Sequence, residues 1–213
     1  KDKHFHILSS SPERFIKRNK KTIISQPIKG TKKRGKTFKE DVFLINSLKN
    51  SIKEKSENHM IVDLVRNDLS RIAKKGTVKV TELSKINTYK NIHQMVSTIE
   101  AQIENDIFFS KILKSTFPMG SMTGAPKIKT MKIIDELEET SRGIYSGAIG
   151  YIDPNKNFDF NVVIRTIIYD DKLSKISVNV GSGITYKSNP EDEYEECLRS
   201  EERRVGKECR SRW

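Results

Sequence analysis

The chain has 213 residues, 35% of them apolar, and 40 basic side chains against 28 acidic ones, a net charge of +12. That is enough apolar material for one domain with a real core, burying roughly 70% of its unfolded surface; no apolar run approaches the ~20 residues of a membrane span and none reads as a signal peptide, so a soluble chain is expected. Cys197 and Cys209 are the only cysteines, which excludes a disulfide framework or a cysteine-rich metal knuckle and suits a reducing cytoplasm.

The positive excess raises nucleic-acid binding as a function, but much of it collects near the two ends, with no interleaved aromatics and no nucleic-acid motif. A solvated basic face that steers an anionic ligand accounts for it better, with a basic nucleic-acid module as the distant alternative.

Taken in order, residues 4–9 read as a short strand that turns at Pro12 and places Glu13 just past the turn. A second strand, 22–28, ends around Pro27, which has no N–H to give a ladder. Gly30 then lets the backbone turn or approach a ligand closely, which makes Lys29, within Gln26-Pro27-Ile28-Lys29-Gly30-Thr31, a candidate for a lysine inside a site. Over residues 38–55 the apolar positions Val42, Leu44, Ile45, Leu48 and Ile52 alternate with charges as in an amphipathic helix. The run continues through Glu54 and Glu57, which share one helix face because they lie three apart.

Residues 76–83 and 89–103 read as two strands, the second longer. Within it His93 and Gln94 face opposite sides, and His93 reads as a residue that satisfies local hydrogen bonds. After a helix over 106–116, the small-residue loop 117–127 feeds a further helix with Pro126 in its first turn, where backbone amides can bind an anion. Three strands over 144–152, 158–169 and 173–184 then read as an antiparallel meander with Arg165 inside the second, outward-facing or paired with an anion. Pro190 opens an acidic helix in which Glu193 and Glu196 again lie three apart, acids that complement the helix dipole.

Several of these stretches occur together in one known order. Ser11-Pro12-Glu13, the hexapeptide around Lys29, ENHMIVDLVRND from Glu57, GSMTGAPK from Gly120, Tyr145-Ser146-Gly147, Ile164-Arg165-Thr166, Gly181-Ser182-Gly183 and Glu193-Tyr194-Glu195-Glu196 resemble the motifs of the chorismate-utilising enzymes, and most closely aminodeoxychorismate synthase component I. The resemblance covers residues 1–198 and implies an α+β, chorismate-binding (anthranilate synthase component I-like) fold of large, mainly antiparallel sheets wrapped by helices. It also implies that the N-terminal portion of the family's domain is missing and that 199–213, which resembles translated vector sequence, is a non-native tail.

The function implied is amination of chorismate at C4 to 4-amino-4-deoxychorismate, toward para-aminobenzoate and folate, with Mg2+ as cofactor and ammonia from a glutamine amidotransferase subunit. In anthranilate and isochorismate synthases, the alternatives, the resemblance implies a small residue where this chain has Lys29. It further implies that Lys29 attacks C2 of the substrate and that Glu13, spaced from it as in the family, is the general acid/base. Glu57 and Glu196 are implied as Mg2+ ligands with Glu54 and Glu193 in support, an all-oxygen set that suits this ion. Gly30, Thr31, Tyr145, Arg165, Gly181, Ser182 and Gly183 are implied substrate contacts, Arg165 and the glycine amides serving carboxylates. Gln94 stands where the family commonly has His; it suits a hydrogen bond to a carboxylate but not proton transfer. Lys32, Lys33 and Arg34 are expected to add positive charge that favours the free amine of Lys29.

Overall fold

The computed structural model describes residues 4–186 and 188–202, without the side chains of 196 and 199–202. In chain order its elements are strands β1 (Phe5–Ser9), β2 (Arg14–Asn19), β3 (Thr22–Gln26) and β4 (Ile28–Lys33), helices α1 (Phe38–Asn50) and α2 (Ile52–Ser70), strands β5 (Lys79–Thr88) and β6 (Ile92–Gln102), helices α3 (Phe109–Thr116), α4 (Gly120–Thr123) and α5 (Lys127–Leu137), strands β7 (Ala148–Ile152), β8 (Phe158–Val162), β9 (Thr166–Asp170) and β10 (Lys175–Val178), and helix α6 (Pro190–Glu202). They fall into two compact units, a larger one of residues 13–140 and 148–162, and a smaller one of the segments before 13, over 141–147 and from 163 on.

The larger unit is built on a seven-stranded sheet in the order β4-β6-β3-β2-β8-β7, with β5 also paired to β6 and every pairing antiparallel. Along one edge of β6, β3 and β4 follow one another end to end, from Thr22 opposite Gln102 to Lys33 opposite Ile92. Pro27 sits at their joint, where its carbonyl accepts from the Ser97 N–H at 3.2 Å and its missing N–H leaves no ladder bond unmade. Past that joint the register slips between Ile28 and Thr31, and Gly30 takes φ +80, the left-handed conformation that bulges of this kind reserve for glycine.

Ile16, Ile23, Ile61, Leu69, Met95 and Ile99 form the centre of this unit, each at most 2% exposed, and α2 packs across β4, β5 and β6. Burial of each such side chain stabilises the fold by about 1.5–3 kcal/mol. The register is pinned by a polar chain across five strands. Asp159 accepts two hydrogen bonds from Arg14 (2.8 and 3.1 Å), Arg14 donates to Gln26, Gln26 to Thr98 (3.1 Å) and Thr98 to Glu82 (3.1 Å). A slip of one residue would turn each of these groups to the other face of the sheet.

The single helix expected over 38–55 is two. Ser51 closes α1 in an extended conformation (φ −64, ψ 114) and its side chain accepts from the Glu54 N–H at 3.3 Å, opening α2. Ser51-Ile52-Lys53-Glu54 is a capping-box sequence, and the apolar period that runs across it hides the break. The expected meander also separates, because β7 and β8 pair in the large sheet whereas β9 and β10 pair in a second one, of order β1-β9-β10, in the smaller unit. Residues 163–165 carry the chain from one sheet to the other, so Arg165 lies between strands at φ +49, its carbonyl accepting from the Ser10 N–H at 3.1 Å. Residues 144–147 form a turn ahead of β7, and β10 ends at Val178, before the glycines of 181–183. Helix α6 runs on to Glu202, and the tail from 203 lies outside the described residues. Among the described residues no helix is long and apolar enough to cross a membrane.

Candidate active site

Four of the implied site residues converge where β4 faces the start of α2. Lys29, on the bulged turn of β4, keeps 19% of its side chain exposed and places Nζ 3.9 Å from Glu57 Oε2, whose own side chain is 12% exposed. Glu54 is the third residue of α2, fixed by the Ser51 cap, and its Oε2 lies 2.8 Å from the point where a Cβ on Gly30 would stand. The absence of a side chain at Gly30 therefore lets the carboxylate of Glu54 approach the strand that carries Lys29.

Thr31 is paired with Gln94 across β4 and β6, and the Gln94 amide donates to Thr31 Oγ1 at 3.5 Å; Gln94 is 1% exposed and engaged with the strand beside it. His93 turns away from it, as alternation requires, and is wholly buried between Thr88 Oγ1 and Asp41 Oδ1, both at 2.9 Å. Asp41 also accepts from Arg34 (2.8 Å at closest) and from the Gly35 N–H (2.7 Å). Arg34 is thus committed to Asp41, while Lys32 and Lys33 are exposed.

The Arg34 hydrogen bond first, then the Gly35 amide and His93, hold the Asp41 carboxyl far below the ordinary carboxylate range. Because its folded-state value is depressed, its contribution to stability is present above the unfolded value of about 3.9 and is lost as pH falls below it. Urea midpoints of the wild type and of Asp41→Asn are therefore expected to differ most above about pH 5 and to approach one another toward about pH 2. A difference that stayed constant over that range would remove this account.

Glu13 belongs to the same unit, just before β2, with 5% exposure and its carbonyl accepting from the Val162 N–H at 3.0 Å. It lines a pocket together with Asp68 of α2 and with Met119, Gly120 and Ser121 of the small-residue loop. Lys29 and Glu57 are not among the residues that line it. Asp68 and its partner Lys127 end the motifs ENHMIVDLVRND and GSMTGAPK, in which the resemblance implies no role for either. The two form an ion pair at 2.5 Å, their side chains 8% and 15% exposed. Burial pushes the Asp68 carboxyl up, opposed by the Lys127 hydrogen bond and charge and by Arg71. No local sequence signal marks this pair, because its members lie 59 positions apart.

In the smaller unit the Tyr145 hydroxyl lies 2.7 Å from the position of a Cβ on Gly181, and Ser182 Oγ donates to the carboxylate of Glu193, which is 4% exposed. Tyr145, Gly181, Ser182 and Glu193 are thereby gathered, with Ser188 Oγ donating to the Gly183 carbonyl at 3.4 Å. Arg165 is partly buried in the same unit. The Glu196 side chain lies outside those described. For Mg2+, Glu54 and Glu57 fit in chemistry, two carboxylates on one helix face offering only oxygen. Among the described residues no three His, Cys, Asp or Glu side chains converge on a complete metal site.

The family model for the chorismate binding enzyme matches residues 1–200. Over 193 residues the chain is 47% identical to the chloroplastic aminodeoxychorismate synthase of Arabidopsis thaliana, covering 90% of this chain and 21% of that protein. It is 42% identical to anthranilate synthase component 1 of Aquifex aeolicus, covering 90% of this chain and 38% of that one. The crystal structure of anthranilate synthase component I from Streptococcus pneumoniae matches with a TM-score of 0.85 at 31% identity, over 96% of this chain and 45% of that chain. The chain thus spans between about a fifth and under half of the length of these relatives. With its antiparallel sheets, wrapping helices and family motifs in order, the chain belongs to the chorismate binding enzyme family.

Proposed function

We propose that this chain is part of an enzyme that aminates chorismate at C4, releasing water and yielding 4-amino-4-deoxychorismate, with ammonia supplied by a glutamine amidotransferase subunit. The observation that carries this reading is Lys29, a mostly buried lysine on a glycine bulge, held 3.9 Å from a carboxylate of α2. The Arabidopsis relative, an aminodeoxychorismate synthase, supports the same reading.

In the proposed reaction the Lys29 amine forms a bond to C2 of chorismate as the C4 hydroxyl leaves, and Glu13 gives that hydroxyl the proton with which it departs as water. Ammonia then bonds to C4, the ring electrons shift back and Lys29 is expelled from C2. Glu57 and Glu54 would offer oxygen ligands to Mg2+, which when bound supplies positive charge for a substrate carboxylate. The fixed position of Lys29 contributes by converting the first bond-forming step into an intramolecular one. Arg165 and the 181–183 segment are proposed carboxylate contacts.

A second reading, anthranilate synthase component 1, draws on the Aquifex aeolicus relative. The two part at Lys29. Incubating the chain with chorismate and Mg2+ in the absence of ammonia, then measuring intact mass and mapping peptides, is expected to reveal an adduct of dehydrated chorismate on Lys29. Formation of anthranilate with no adduct would transfer the assignment to the second reading.

A further inference from the structure

Glu57 reaches toward Lys29 from a helix whose rotation is fixed by the next residue in sequence. Successive residues of a helix point about 100° apart, so the side on which Asn58 meets the sheet decides where Glu57 points. Asn58 is wholly buried, and its Oδ1 accepts from Ser97 Oγ of β6 and from Ser84 Oγ of β5, the latter at 3.2 Å. Ser97 is wholly buried too and holds two further groups. Its Oγ accepts from the Ser84 N–H at 2.8 Å, and its own N–H donates to the Pro27 carbonyl at 3.2 Å, at the joint between β3 and β4.

This polar node thus lies one residue from Glu57 along α2 and two residues from Lys29 along the strand. The bulge takes Lys29 off the regular ladder, so its place depends on the anchors at either side, Pro27 on Ser97 before it and Thr31 opposite Gln94 after it. The node is not built for stability alone. Ser84 stands where β5 slips register between Glu82 and Lys85, at φ +51, in the left-handed region that serine seldom adopts. Asn58 Nδ2 meets no hydrogen-bond partner among the described residues, and a buried donor in that state costs stability. A strained residue and an unmet donor at one packed point are what a place held for its geometry shows.

We propose that Asn58 and Ser97 are a positioning pair for Lys29: they tie the strand joint ahead of the lysine to the helix that carries Glu57, and so set the spacing between amine and carboxylate. This rests on the reading of Lys29 as the nucleophile given above. Both residues are wholly buried, so they act through the elements they hold. The rate responds steeply to such spacing, because the gain from an intramolecular attack exists only near the attacking geometry.

The test compares the wild type with Ser97→Ala and with Asn58→Leu/Ser97→Ala, the double variant making both partners apolar so that neither is left buried with half a hydrogen bond. A water-soluble carbodiimide joins an amine to a carboxylate, with loss of one water, only where the two nearly touch, and peptide mapping then reads the spacing. The Lys29–Glu57 link, from a pair 3.9 Å apart, is measured against the Lys74–Glu104 link, from a pair 3.1 Å apart that has no part in the node. In both variants the ratio of the first link to the second is expected to fall about fivefold or more. For chorismate with ammonium, kcat is expected to fall about tenfold or more with KM within about twofold of the wild type. A merely structural pair would weaken both links together, and that result would overturn the proposal. So would an unchanged ratio in both variants, an unchanged kcat, or the lack of a Lys29–Glu57 link in the wild type. If the wild-type chain turned over no chorismate, the proposed function would fall, and the link ratio would still decide whether the node sets the spacing.

Discussion

Replacing Lys29 with arginine is expected to reduce chorismate amination on the order of 10³-fold and to abolish the covalent adduct, with little change in folding. Arginine keeps a positive charge near Glu57, now 3.9 Å from the lysine Nζ, but its guanidinium is a delocalised cation that does not lose its proton and so is not a nucleophile. Because arginine keeps the positive charge beside Glu57, neither partner is left buried and uncompensated, and the domain is expected to stay folded. Lys29→Ala would remove nucleophile and charge together and confound the two. Steady-state rates for Lys29→Arg, read beside its urea midpoint, therefore isolate the chemistry. Wild-type turnover in Lys29→Arg would mean that ammonia attacks the ring directly.

Gly30→Ala is expected to cost about 3 kcal/mol of stability and to displace Glu54. Two penalties act together. At φ +80 an L-residue with a Cβ pays about 1–2 kcal/mol for the left-handed conformation. The new methyl would also stand 2.8 Å from Glu54 Oε2 and 2.9 Å from Leu48 Cδ1, and Leu48 is fully buried and cannot retreat. The carboxylate yields more easily, so the substitution acts on the site as well as on the fold. Urea denaturation should show a lower midpoint with an unchanged m value, since the surface exposed on unfolding is the same. A midpoint within experimental scatter of the wild type would mean that the bulge at 28–31 relaxes to take a side chain.

What the sequence made legible is what short-range chemistry determines. Pro27 has no N–H, and it does sit at a strand junction; Glu54 and Glu57 share a helix face because three residues nearly close a helical turn. His93 and Gln94 point apart because strands alternate. What escaped was decided by partners distant in the chain. The alternating run 158–169 is as good a strand pattern as any, and only the competition between two sheets for its halves breaks it at 163–165. The period over 38–55 is likewise continuous, and the break comes from a single serine cap. Neither Asp68 meeting Lys127 nor Asp41 meeting His93 has any local signal, since each joins residues more than fifty positions apart.

The pairing of β1 with β9 has a consequence for the making of the protein. Ser9 lies opposite Thr166 and Phe5 opposite Asp170, so β1 emerges from the ribosome more than 150 residues before its partner. The large sheet has the same trait in milder form, because β2 must wait for β8, Arg18 opposite Phe158. At about 5–20 residues per second that interval is on the order of ten seconds, during which β1 offers unpaired N–H and C=O groups beside Phe5, Ile7 and Leu8. Contacts this far apart in sequence also slow folding, because their loop entropy is spent before they are rewarded. Nascent chains stalled just short of residue 166 would on this account be bound by chaperones and prone to aggregate, and chains released past residue 178 would not.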